Sequence, residues 1–224
     1  METSLSIPLA GKRIAVVVES KFIPEEINAY RYGFATLGAQ VEFVSRLNYG
    51  DYRPETATFI SDVDPLDQEP WMTPERVIAT KDVSSVNLSE YAALLMSANY
   101  TSVRLRFNGL PAPEHIAGNF NVRAHLQQAP AVEKFADAMG RKDIIKGFLC
   151  HGLWILTPNP HLLKDRTVVC NEVVAADILN CGARIDMSRR VITDDDVVTG
   201  YSKHEVVEFV QAVAEAIAKR PSGT

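Results

Sequence analysis

The segment DIIKGFLCHGLWILTPN, residues 143–159, decides how this chain folds. A short apolar run reaches Cys150, turns sharply through His151 and Gly152, and enters a helix start rich in Leu, Trp and Ile. Strand, tight turn and helix in this order make a nucleophile elbow, which holds a side chain exposed at the edge of a sheet. A helix N-terminus behind the turn is expected to favour a thiolate by up to about 2 kcal/mol. Such a thiolate is far more nucleophilic than the neutral thiol. Spacing by itself leaves a second reading open, in which Cys150 is a small buried residue that ends a strand.

Working outward, strand and helix patterns alternate. Ile14-Ala15-Val16-Val17-Val18 is continuously apolar, as a central parallel strand covered on both faces should be. IPEEINAYRYGFATLG follows with Pro24 near its start, acids in its first turn and Gly38 as its stop, and Ile27, Tyr30 and Phe34 recur at helical spacing. QVEFVSRL, YAALLMSA and LLKDRTVVC read as further strands, PAVEKFADAMGR and NEVVAADILNCGA as helices. RIDMSRRVITDDDVVTG reads as a hairpin whose turn Asp194-Asp195-Asp196 is solvated, and KHEVVEFVQAVAEAIAKR as a closing amphipathic helix. Residues 48–90, rich in Asp, Pro, Tyr and Ser, read as hairpin and loops over one edge or over a pocket. The alternation predicts a doubly wound α/β domain with right-handed crossovers, spanning residues 1–224 as one unit. Chemistry in such folds collects beyond the carboxyl ends of the strands. That nominates the loops 19–26, 97–106, 150–154 and 170–172.

Composition narrows the function. A net charge of -5 offers no broad basic surface, so neither nucleic acid nor an anionic membrane is an expected partner. No apolar run approaches the roughly 18–20 residues that cross a bilayer, and the start METSLSIPLAGKR lacks the apolar core of a signal peptide. Three cysteines, Cys150, Cys170 and Cys181, are too few and too odd for a disulfide scaffold, which points to a reducing, cytoplasmic setting. No His/Cys/Asp/Glu grouping has zinc-site spacing, and there is no GxGxxG or Walker loop.

The Cys-His-Gly elbow and its surroundings resemble the ThiJ/PfpI superfamily, which has the class I glutamine-amidotransferase-like fold. LLKDR (162–166), FIPEEI (22–27), SANYTSVRLR (97–106) with Arg104 and Arg106, NCGA (180–183) and VVTG all match its pattern. The resemblance covers nearly the whole chain except residues 48–80, which look like an insertion. It implies a flavodoxin-like three-layer α/β/α sandwich with a mostly parallel sheet, no cofactor, and a homodimer acting on a small-molecule substrate. It further implies Cys150 as the nucleophile and Glu26 as the carboxyl that shares its proton. His151 is then either a general base beside the sulfur or a turn residue. Backbone N–H groups of Asn99 (or Ala98) and His151 would form the oxyanion hole.

Two departures from the family pattern matter. Ala98-Asn99 stands where relatives carry Gly-Gly, so Asn99 and Tyr100 are expected to narrow or line the pocket. Asn171, followed by Glu172, stands where many relatives place a histidine, and its loss removes a base matched to neutral pH. This shifts weight from glyoxalase or deglycase chemistry on α-oxoaldehydes towards hydrolysis or hydration, with Glu26, His151 or Glu172 handling protons. A non-catalytic redox sensor or chaperone-like protein, switched by oxidation of Cys150, is the alternative from another class. Cys170 and Cys181 read as structural, although Cys170 at a strand end has the option of pairing with Cys150. His204 reads as surface, and His115, His125 and His161 have no paired ligand spacing. Trp71 and the tyrosines of the insertion are expected to cover the pocket.

Overall fold

In a computed structural model, the structure describes residues 9–48, 55–62, 74–107 and 120–220. The strands are β1 (Arg13–Val17), β2 (Gln40–Ser45), β3 (Ala57–Ile60), β4 (Arg76–Ala79), β5 (Lys81–Asp82), β6 (Ala93–Met96), β7 (Ile145–Leu149), β8 (Thr167–Val168), β9 (Arg184–Ile185), β10 (Val191–Asp194) and β11 (Val197–Gly200). Among the described residues they build a seven-stranded sheet in the order β10-β11-β7-β6-β1-β2-β5. Every pairing in it is parallel except the β10–β11 hairpin.

The helices are α1 (Pro24–Asn28), α2 (Phe34–Thr36), α3 (Thr101–Leu105), α4 (Val122–Gln127), α5 (Pro130–Met139), α6 (Glu172–Asn180) and α7 (Val206–Ala218). A π turn, Ala29–Gly33, joins α1 to α2. The pleat sends alternate residues of β1 into two cores. Ile14, Val16 and Val18 meet Tyr30, Phe34 and Phe209 from α1–α2 and α7, whereas Ala15 and Val17 share a core with Phe135, Ile178 and Leu153 on the other face. Helices on both faces of a mostly parallel sheet make the α/β/α sandwich expected from the sequence. Burial on both faces is why the Ile14–Val18 run is apolar throughout.

Several local expectations are corrected. LLKDRTVVC does not add a strand to the main sheet: β8 pairs only with β9 in a two-stranded sheet. Side chains of the neighbouring hairpin take its amides instead, Thr167 N–H donating to Asp194 Oδ2 at 2.9 Å and Val169 N–H to Thr199 Oγ1 at 3.0 Å. The acidic turn is not uniformly solvated. Asp195 turns the chain at φ 57°, but Asp196 is fully buried and bonds the equally buried Lys146 as well as Arg166. Within SANYTSVRLR, Thr101–Leu105 is helical rather than loop. The elbow leads not into an α-helix but into a 3₁₀ turn, Gly152–Leu156, because Pro158 and Pro160 cannot continue a helix.

The 48–80 excursion is a hairpin where it is described, with β3 and β4 antiparallel. It docks on the turn after β1, where Lys21 N–H donates to Ile60 O and Asp62 N–H to Phe22 O, both at 2.8 Å. Trp71 and His115 lie outside the described residues.

Candidate active site

Three strand ends converge. β2 and β6 flank β1 on opposite sides, and this reversal of strand order opens a crevice at the carboxyl ends of the strands. The turn after β1 leads to Glu26, the loop after β6 carries Ala98 and Asn99, and β7 ends at Cys150.

Cys150 has φ 56°, a left-handed conformation that L-residues adopt rarely and at a cost. Its backbone is pinned, because its N–H donates to Gly200 O at 2.8 Å and its carbonyl accepts from Asn171 N–H at 3.4 Å. Gly152 makes the tight turn possible: a Cβ there would stand 3.2 Å from Met96 O and 3.4 Å from Phe148 Cβ. Burial pushes the Cys150 thiol up to about 12, and the Glu26 charge adds to the shift. Backbone N–H groups of His151 and Asn99 hydrogen bond the sulfur and oppose that rise. The thiolate-favouring field expected from a following helix is outweighed, since the turn is short and the sulfur is dry.

Glu26 is 0% exposed. Its Oε1 and Oε2 both accept from Ala98 N–H, at 2.9 and 2.8 Å. Burial raises its carboxyl to about 8, against the pull of that hydrogen bond and of Tyr30. The Tyr30 hydroxyl, buried one helical turn beyond, lies against the carboxyl without a well-aligned hydrogen bond. Its phenol is raised well above its ordinary value by burial, then by the Glu26 charge. Tyr30 read in the sequence as an apolar face residue; its spacing of four from Glu26 was the available signal. Because Glu26 occupies the Ala98 N–H, Ala98 is not a free oxyanion donor. The Asn99 N–H faces the Cys150 sulfur instead.

The His151 ring turns towards aromatic neighbours, with ring centroids 5.9 Å from Tyr100 and 5.2 Å from Trp154. Its Nε2 is 3.3 Å from Asn171 Oδ1, which also accepts from Val173 N–H at the start of α6. Nδ1 is buried near the Asn99 peptide without a well-aligned bond. Burial lowers the imidazole pKa, so the ring is neutral at pH 7. Tyr100 is half exposed. Glu172 is held ionised by the Tyr201 hydroxyl, and its charge reaches both Cys150 and His151. The Asn99 side chain, expected in the pocket, points the other way, to Lys21 O and Asp62 Oδ2 at 2.9 Å each.

No protein-family model and no curated protein matches the chain. Solved structures do. A ThiJ/PfpI domain protein from Brachyspira murdochii superposes with a TM-score of 0.69 over 95% of this chain and 99% of its own, at 15% identity. The fold is that of the ThiJ/PfpI proteins. DJ-1beta from Drosophila melanogaster matches at a TM-score of 0.67 and 10% identity, over 95% of this chain and 93% of its own. A two-domain protein from Anabaena variabilis, with DJ-1/ThiJ/PfpI-like and ferritin-like domains, matches at a TM-score of 0.67 and 14% identity over 91% of this chain. This chain spans about half of that one, 47%.

Within this ThiJ/PfpI fold the remaining candidates scatter. Cys170 and Cys181 are free and buried, and burial pushes Cys170 up to about 12. Arg104 stands 3.9 Å from Glu19, whereas Arg106 donates to Thr157 Oγ1 at 2.7 Å and lies over Trp154. His204 is exposed in a groove between the α2 and α7 regions. Among the described residues no three His, Cys, Asp or Glu side chains gather where they could hold a metal ion, and no helix is long and apolar enough to cross a membrane.

Proposed function

We propose that the chain is a cysteine-nucleophile enzyme of the ThiJ/PfpI type, a hydrolase or hydratase for small carbonyl, amide or isocyanide-type substrates. One arrangement carries this reading: a strained Cys150, two backbone N–H groups on its sulfur, and a dry carboxyl whose charge acts on it. The coarse placement among DJ-1/ThiJ/PfpI folds agrees with it.

For a carbonyl substrate, the Cys150 proton passes to the Glu26 carboxylate as the S–C bond forms. The carbonyl π pair moves onto oxygen, which takes over the Asn99 and His151 N–H groups from the sulfur. Collapse breaks the bond to the leaving group, and that group takes the proton from Glu26. Water then attacks the thioester and gives its proton to Glu26. The sulfur departs as thiolate and recovers that proton. The reactive form is the one in which Glu26 has lost its proton, which it does near pH 8, while the buried Cys150 thiol keeps its own until the substrate oxygen takes up the charge. Three free, buried cysteines suit a reducing cytoplasm.

The test is a screen of activated esters, amides, isocyanides and methylglyoxal, with intact-mass detection of a thio-adduct. The expected result is turnover of an ester, amide or isocyanide with an adduct on Cys150, and none in Cys150→Ser. Normal turnover by Cys150→Ser sinks the proposal, and turnover confined to methylglyoxal moves the protein to glyoxalase chemistry.

A further inference from the structure

Asn99 carries a backbone donor to the sulfur while its own side chain is anchored outside the crevice. It sits at φ 64°, where asparagine is tolerated better than most residues. Its Nδ2 donates to Lys21 O and to Asp62 Oδ2, each at 2.9 Å. Asp62 follows β3 of the hairpin, and its Oδ1 accepts from Lys21 Nζ at 2.9 Å. Asp62 N–H donates to Phe22 O at 2.8 Å, and Phe22 and Ser61 form a parallel bridge. The hairpin is therefore clipped to the β1 turn and, through Asn99, to the β6 loop.

We infer that Asp62 is a positioning residue, which makes the hairpin insertion part of the active site by holding the Asn99 amide on the reacting centre. This rests on the reading of Cys150 as the nucleophile. A donor aimed at a developing oxyanion has to be held within roughly 0.5 Å and 10–20°. A left-handed Asn can swing its peptide when its side chain is free, and two anchoring bonds stop that motion. The Lys21–Asp62 ion pair is partly solvated and contributes little by itself, so the amide bond to Asn99 is the working contact.

Electrostatics and positioning predict opposite signs. Removing the Asp62 charge by Coulomb effects favours the Cys150 thiolate; losing the brace lets the Asn99 N–H drift from the sulfur and disfavours it. Alkylation of Cys150 by iodoacetamide at pH 9, followed on the Cys150 peptide by mass spectrometry in the full chain, reads the difference. Asp62→Ala should slow alkylation about three- to tenfold, the worth of one hydrogen bond. Asp62→Asn, which keeps an acceptor oxygen, should recover most of the rate. Asn99→Gly, which suits the same backbone but has no anchor, should slow it alike, and Asp62→Ala should add nothing in that background. An unchanged or faster rate in Asp62→Ala or in Asn99→Gly overturns the inference, as does full additivity in the double variant. Because alkylation reads the Cys150 thiolate and needs no turnover, a braced sulfur that turns over no substrate would retire the enzyme reading and leave the brace standing.

Discussion

Glu26 and Ala98 meet through a single backbone N–H that both carboxyl oxygens share, at 2.9 and 2.8 Å. This contact ties the helix after β1 to the loop after β6, and it leaves the carboxyl anchored yet short of donors. With no solvent to complete its shell, the acid keeps its proton to about pH 8. Its reactivity and its cost to stability both come from that contact.

Activity should rise with pH. If Glu26 accepts the thiol proton, kcat/KM for an ester substrate climbs as the carboxyl ionises and is half-maximal near pH 8. The value belongs to the Glu26–Cys150 pair rather than to either group. Glu26→Gln should lose about 100-fold or more and flatten that limb. A rate that falls through pH 8 would show Glu26 working as an acid instead.

Stability should move the other way. Glu26 is raised from 4.5 to about 8 on folding, so between those values the folded chain keeps a proton that the unfolded chain has lost. Folding free energy therefore weakens as pH rises through this window, and is level below and above it with respect to this group. Glu26→Gln escapes the penalty. Urea unfolding at pH 5 and pH 8 should show the variant gaining on wild type by on the order of 1 kcal/mol per pH unit. A gap independent of pH would contradict the raised carboxyl.

Gly152→Ala should damage the elbow. The new Cβ meets the Met96 carbonyl at 3.2 Å, a backbone atom that cannot turn aside. Overpacking of this kind costs about 1–3 kcal/mol. The shift would also move the neighbouring His151 N–H, so thermal melting and ester turnover should fall together.

Asp196→Ala separates stability from chemistry. It strands the fully buried Lys146 ammonium, which otherwise bonds Asp196 and the carbonyls of Arg141 and Ile144. Breaking such a pair costs about 3–5 kcal/mol. The pair sits at the start of β7, a strand's length from Cys150, so alkylation of Cys150 in the folded variant should stay within about twofold of wild type. Unfolding by urea and alkylation below the transition check the two halves.

Much of the architecture is legible in local patterns of the sequence. The run Ile14–Val18 announces a central buried strand, since only a strand covered on both faces is apolar at every position. The Cys-His-Gly run announces a tight turn after a strand, and the structure adds the reason for its glycine, where the backbone passes the Met96 carbonyl. Position along the chain places Cys150 at a tight turn after a strand, and the structure has it there, directly after β7. Strand membership was less secure: LLKDRTVVC has a strand's composition, but its amides found Asp194 and Thr199 side chains, and no local pattern reports that choice.

What only the tertiary structure decided is the electrostatics and the direction of side chains. The thiol is raised, not lowered, because burial and the Glu26 charge, brought in from α1, act on it. Asp196 reads as solvated beside Asp194 and Asp195, yet it points inward to Lys146, 50 residues away in sequence and so invisible to a local reading. Asn99 turns away from the crevice because Asp62 waits on the hairpin, 37 residues away in sequence. Sequence determined the order of strands and turns, which is set by local periodicity and backbone sterics. Proton affinities and anchoring bonds depend on which distant groups share a water-poor space, and that is settled only when the sheet closes.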